Sequence, residues 1–119
     1  MKALLKVLTV SAAMLFASSA FAWGAYAADQ AAGEDPSKDG YGYAVNSASA
    51  AAAEREALAQ CRAHGNTGCK VLGSFQRCGS YASSSYNWGI GSGSTPRNAQ
   101  NDARKACADN CEIVHSICE

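Results

Sequence analysis

Ser49-Ala50-Ala51-Ala52-Ala53-Glu54-Arg55-Glu56-Ala57-Leu58-Ala59-Gln60-Cys61 and Thr95-Pro96-Arg97-Asn98-Ala99-Gln100-Asn101-Asp102-Ala103-Arg104-Lys105-Ala106-Cys107 follow one pattern. With Cys61 set over Cys107, Ser49 falls over Thr95, Ala53 over Ala99 and Ala57 over Ala103. A Ser or Thr at the first place can accept a hydrogen bond from an amide in the opening turn of a helix. Pro96 suits a first helical position, where its missing N–H would have no partner anyway. Ala53, Ala57, Leu58 and Cys61, and then Ala99, Ala103, Ala106 and Cys107, recur at helical spacing. Glu54, Arg55 and Gln60 point outward from the first stripe; Arg97, Gln100, Asn101 and Arg104 lie off the second. Both stripes are built of small side chains, so such helices can lie close on a sheet while burying little area each.

Outward from the helices the likeness continues. Cys69-Lys70-Val71-Leu72-Gly73-Ser74-Phe75 lies over Cys111-Glu112-Ile113-Val114-His115-Ser116-Ile117, and Tyr41-Gly42-Tyr43-Ala44 over Trp88-Gly89-Ile90-Gly91. The order is strand, helix, Cys, short loop, Cys, strand, twice over. Chance likeness in an Ala- and Gly-rich chain is the alternative; the matched cysteines favour duplication. Lys70 to Arg77 reads as a strand with Val71, Gly73 and Phe75 on one face. Glu112 to Cys118 reads likewise, with Ile113, His115 and Ile117 together. Trp23 to Ala28 is an opening strand, Ser80 to Tyr86 its match in the second copy, and Asp29 to Gly40 an exposed polar loop. The expected fold is α+β: a duplicated β-β-α-β unit, a sheet of about six mostly antiparallel strands with two helices on one face, stapled by disulfides.

The ends and the composition set the compartment. Lys2 and Lys6 precede an apolar run from Val7 to Phe16, and Ala20-Phe21-Ala22 closes it with small residues at the cleavage spacing of a secretory signal. A short uncleaved anchor is the alternative, but the apolar run falls short of the ~20 residues a membrane span needs. We expect residues 1–22 to be a signal peptide, and 23–119 to be one disulfide-rich domain with halves of about 23–78 and 79–119. Processing leaves eight basic against ten acidic side chains, a balance with no attraction for nucleic acid or anionic lipid. Leu, Ile and Val in the mature part number only eight, so the apolar interior is thin. Cys61, Cys69, Cys78, Cys107, Cys111 and Cys118, an even set behind a secretory signal, read as three disulfides. A Cys-ligated metal is the alternative; the C-x7-C-x8-C and C-x3-C-x6-C spacings lack the paired C-x2-C of zinc ribbons. Six cysteines allow fifteen pairings. The repeat favours Cys61–Cys69 and Cys107–Cys111 as local staples, leaving Cys78–Cys118 to tie the two closing strands together.

Trp23-Gly24-Ala25-Tyr26-Ala27, Gly40-Tyr41-Gly42-Tyr43, Ala53-Glu54-Arg55-Glu56-Ala57-Leu58 with Cys61, and Cys69-Lys70-Val71 together resemble the secreted bacterial proteins grouped as domain of unknown function 4189. The resemblance spans nearly the whole mature chain. The second copy departs from it, with Gln100-Asn101-Asp102-Ala103-Arg104 where an acidic helix would stand. It implies export and small size, and it transfers no catalytic residue.

The residues offer little for catalysis. A nucleophile needs a base within hydrogen-bond reach, and only His64 and His115 are available. His64 reads as a solvated loop residue and His115 as a packed or half-exposed strand residue. No G-x-S-x-G, H-E-x-x-H, P-loop or C-x-x-C occurs. Asp29, Glu34, Asp35 and Asp39 suggest a solvated loop rather than calcium, lacking the ligand spacing of an EF-hand. Gly89 to Gly93 reads as a tight turn or close packing rather than a phosphate cradle. We therefore expect no catalytic residue, metal or cofactor. Trp23, Tyr41, Tyr43, Tyr81, Tyr86 and Trp88 are the candidate binding surface, since Tyr and Trp give large contact area at low entropy cost; the same rings would also serve as the core of an aliphatic-poor domain. Tyr81 to Tyr86 reads as an edge strand or recognition loop. The expectation is a periplasmic or secreted non-catalytic binding protein with a protein partner, by analogy an inhibitor or immunity partner of a secreted toxin. The alternatives are a small exported hydrolase and an envelope structural or stress protein.

Overall fold

Both helices begin where the capping residues stand. In a computed structural model that describes residues 22–30 and 35–119, Ser49 Oγ accepts the Ala52 amide at 3.1 Å and opens helix α1, Ala50–Ala63. Thr95 Oγ1 accepts the Asn98 amide at 3.1 Å and opens α2, Pro96–Cys107. Their buried stripes are Ala53, Ala57, Cys61 and Ala99, Ala103, Cys107. The signal-peptide expectation for residues 1–22 lies, apart from Ala22, outside the described residues.

Among the described residues six strands accompany them: β1 (Trp23–Asp29), β2 (Gly40–Ser47), β3 (Lys70–Gln76), β4 (Cys78–Ser83), β5 (Trp88–Gly93) and β6 (Glu112–Cys118). They form two three-stranded antiparallel sheets with the same internal order, β2-β1-β3 and β5-β4-β6. The α+β class, the six antiparallel strands and the two helices of the duplicated unit are all present. Their layering is finer than a single sheet with both helices on one face: each half completes its own sheet, and each helix lies on the outside of it. The cause is the central strands. β1 is buried from Gly24 to Ala28 and β4 along its whole length, so both faces of each need cover. One face is small and takes a helix: Ala25 and Ala27 pack with Ala53, Ala57 and Cys61, and Ala82 with Ala103 and Cys107. The other face carries Tyr26 or Tyr81 and takes the opposite sheet, in a layer that includes Phe75, Leu72, Ile90, Val114 and Ile117.

The duplication extends to irregularities. Tyr26 pairs with Gly73 and Ala27 with Val71, leaving Leu72 as the extra residue of a bulge; Tyr81 pairs with His115 and Ala82 with Ile113, leaving Val114 extra at the matching place. Both extra residues pack in the layer between the sheets. The helix contacts match as well. A methyl on Gly42 would stand 2.5 Å from the Ala57 carbonyl oxygen, and one on Gly89 2.6 Å from that of Ala103. Each helix thus rests directly on strand backbone.

The structure closes three disulfides, Cys61–Cys69, Cys107–Cys111 and Cys78–Cys118, the pairs to which alignment of the halves leads. The first two link each helix end to the entry of the next strand. The third differs in its role: Cys78 opens β4 and is the register partner of Cys118 in β6, so the bond closes the second half on itself rather than tying the closing strands of both halves. The same register in the first half joins Trp23 to Gln76, which puts Cys78 at the start of the second half rather than at the end of the first. Ser84 to Asn87 form a turn, with the Ser84 amide donating to Asn87 O at 2.8 Å, so the strand expected to reach Tyr86 ends at Ser83.

Restricting the unfolded chain stabilises more for longer loops. At 25 °C the chain-entropy relation gives about 4 kcal/mol for the Cys78–Cys118 loop, against about 2.5 and about 2 for Cys61–Cys69 and Cys107–Cys111, whose sequence separations are 40, 8 and 4. Pairwise Cys→Ser variants are expected to lower Tm in that order, Cys78→Ser/Cys118→Ser most, as read by thermal unfolding followed by circular dichroism. An equal fall for all three would refute the ordering.

Candidate binding cleft

β2 is an outer strand of the first sheet, and α1 runs beside it. Between them lies a cleft of about 720 Å³ lined by Gly40–Val45, by Glu56 and Gln60 from α1 and its C-cap His64, and by Asp39 and Asn66. Glu56, Gln60 and His64 are four residues apart, a spacing that lines them up on one face of a helix. Gln60 Nε2 donates to Glu56 Oε1 at 2.9 Å. His64 caps the C-terminus of α1, and its Nδ1 lies 3.4 Å from the Tyr41 carbonyl oxygen. Asn66 is anchored by donating from Nδ2 to Cys61 O at 2.9 Å.

The mouth of the cleft at Asp39 is fixed by a polar cluster. Tyr81 Oη and Ser83 Oγ each donate to Asp39 Oδ2 at 2.8 Å, and Gln30 Nε2 donates to Tyr81 Oη at 2.6 Å. These contacts hold the start of β2 against the second sheet. Burial pushes the Tyr81 phenol well above its ordinary range, and Tyr26 likewise, so both stay protonated as donors.

The six aromatic candidates fall in different places. Tyr41 and Tyr43 line the cleft, with Tyr43 37% exposed. Tyr86, 79% exposed, lies in the β4–β5 turn, and Trp88, 43% exposed, opens β5 directly after it. They share a second hollow, of about 220 Å³, with Asp39, which also borders the cleft. Trp23 packs, partly buried, against the alanine layer under α1. Tyr81 is corrected: it is fully buried between the sheets. The run that contains it opens on the central strand of its sheet, so it is no edge strand, and its ring is part of the core that a thin aliphatic interior requires.

His115 sits among aromatic rings. It stacks on Tyr43 with centroids 4.4 Å apart, and Tyr26 Oη lies 2.9 Å from its Nδ1. Burial lowers its pKa below the ordinary value. Among the described residues neither imidazole ring, of His64 or of His115, has a Ser, Thr or Cys side chain within hydrogen-bond distance; the Ser80 hydroxyl beside His115 donates to its backbone carbonyl. Nor is any group of three or more His, Cys, Asp or Glu arranged to hold a metal ion. Asp29 accepts the Gly68 amide and Asp35 caps the short 3-10 turn at Ser37; Glu34 lies outside the described residues. Sequence reasoning missed Glu56, Asn66 and Asp39 as cleft residues; the i, i+4 register of Glu56, Gln60 and His64 was the available signal.

Fold and site together define a duplicated, disulfide-stapled α+β protein with an open strand–helix cleft. The chain belongs to the family of domain of unknown function DUF4189, whose model matches residues 23–118. It is similar to Rv1813c from Mycobacterium tuberculosis, solved by NMR, at 31% identity and a TM-score of 0.53, over 80% of this chain and 75% of that one. Among curated protein sequences there is no match.

Because the folded pKa of His115 lies below its unfolded value, the neutral ring stabilises the fold fully above about pH 6.5. That contribution is lost as pH falls through the lowered folded value. Wild-type Tm is expected to drop more between pH 7 and pH 5 than that of His115→Gln. Parallel Tm–pH curves for the two proteins would contradict this.

Proposed function

We propose that this is an exported, non-catalytic binding protein whose partner occupies the cleft between β2 and α1. Three disulfides fit an oxidising compartment. Among the described residues no helix is long and apolar enough to cross a membrane. The reading of residues 1–22 as a secretory signal puts the mature chain in the periplasm or outside the cell.

One observation carries the choice of surface: two halves built on one plan differ at this groove. In the second half Asp102, the counterpart of Glu56, turns its carboxylate onto the strand, and Oδ2 accepts the Ser92 amide at 3.0 Å. In the first half the groove stays open, with Tyr41 and Tyr43 at its rim and Tyr86 and Trp88 beyond Asp39. A protein that needed only structural duplication has no use for that difference. A toxin inhibitor or immunity protein would use such a surface.

The test is site-specific photocrosslinking of the exported chain in cells. A photoreactive residue in place of Gln60 is expected to form a discrete adduct that a probe in place of exposed Lys105 on α2 does not. The adduct is expected to fade in Tyr43→Ala. Equal adducts at both positions, or none at Gln60, would overturn the assignment. A hydrolytic activity abolished by His64→Ala or His115→Ala would favour the enzyme alternative instead.

A further inference from the structure

The two outer strands β2 and β5 occupy the same place in their halves, and the differences between them are specific. At Gly91 the helix comes so near that a methyl there would stand 2.8 Å from Ala103 Cα. Its counterpart in β2 is Ala44, which is buried against α1 and whose methyl prevents the same approach. At Ser92 the outward amide is capped by Asp102; the counterpart Glu56 accepts from Gln60 instead. One half closes its edge with a side chain and a nearer helix. The other leaves a cleft along Gly40–Val45.

What lies along that cleft is a row of backbone groups. Alternate residues of an outer strand turn both N–H and C=O away from the sheet. The Tyr41 carbonyl, 3.4 Å from exposed His64 Nδ1, belongs to the outward set, and the two-residue period adds Tyr43. A contact of that length is weak and easily exchanged for a better donor. Groups repeating every second residue are matched by another extended backbone. Six residues of edge span about 20 Å, room for five or six residues of ligand. The side chains of the lining carry two carboxylates, Asp39 and Glu56, and no Lys or Arg.

Resting on the cleft as the binding surface, we propose that its occupant is an extended, cationic segment of a partner protein, which adds to β2 as a fourth strand of that sheet. Backbone pairing along Tyr41–Tyr43 supplies the affinity, and Lys or Arg side chains on the α1 side meet Glu56. A second copy of this chain fits worse: its own β2, Gly40-Tyr41-Gly42-Tyr43-Ala44-Val45-Asn46-Ser47, carries no cation, and pairing two such edges would oppose like carboxylates.

The experiment selects linear dodecapeptides from a random display library on the oxidised mature chain, then titrates a winning peptide into the ¹⁵N-labelled protein. Expected are winners with Lys or Arg at alternate positions and amide shifts concentrated at Tyr41, Tyr43 and α1. N-methylation of a single pairing amide of the peptide is expected to weaken binding about fivefold. Glu56→Lys should abolish binding, and Glu56→Gln weaken it about threefold. Ala44→Gly/Glu56→Asp, which transplants the closed half's residues, should fold and lose the peptide. The inference is overturned if no peptide is enriched, if shifts map elsewhere, or if N-methylation has no effect. Sedimentation showing a dimer with the same β2 shifts would also overturn it, in favour of self-pairing. Gln60 adducts without strand-adding peptides would remove this inference alone; absence of both would remove the binding surface with it.

Discussion

Tyr26 and Tyr81 meet at the middle of the molecule with ring centroids 6.0 Å apart, and the rest of the architecture is arranged around that contact. Each comes from the central strand of its sheet and is fully buried. A tyrosine buries large area but brings a hydroxyl that needs a partner. Tyr81 finds Asp39, and Tyr26 lies beside His115. Those two partners sit at the start of β2 and within β6, so satisfying the core's hydroxyls also positions the rim of the cleft. Phe75 completes the layer 5.5 Å from Tyr26. It lies where methyls on Gly24 or Gly79 would stand 2.5 Å from its ring atoms, so a single large ring is seated between the bare backbones of both central strands.

Outside that layer the packing is thin by design of composition. Alanines and half-cystines line both helix–sheet contacts. At ~25 cal/mol per Å² such side chains contribute little burial each, although close approach on glycine recovers dispersion contacts. The disulfides compensate on the unfolded side of the equilibrium. Two of them anchor the ends of the helices, whose faces bury the least.

Much of this was legible beforehand, because a duplication shows itself twice. Cap residues, alanine stripes and matched cysteines located both helices and the strand after each. The layering was less accessible. Period-two alternation says that Tyr26 and Ala27 face opposite ways, but not whether the aromatic face meets a helix, a sheet or a partner. Tyr81 is misread for that reason: Tyr81-Ala82-Ser83-Ser84-Ser85-Tyr86 looks polar, yet Ser83 and the preceding Ser80 are buried, their hydroxyls partnered by the Asp39 carboxylate and the Ser116 hydroxyl. The cleft itself depends on the contrast between Ala44 and Gly91 and between Glu56 and Asp102, single substitutions whose meaning appears only once the halves are superposed in space.

The Cys78–Cys118 bond has a topological consequence. It joins the first residue of β4 to the last residue of β6, making residues 78–118 a covalent ring. The Glu119 amide donates to Arg77 O at 2.8 Å, so the residue that follows the ring is held against the one that precedes it. A single peptide-bond cut within the Ser84–Asn87 turn, where Tyr86 and Asn87 are exposed, would therefore release no fragment; both pieces would stay joined through sulfur.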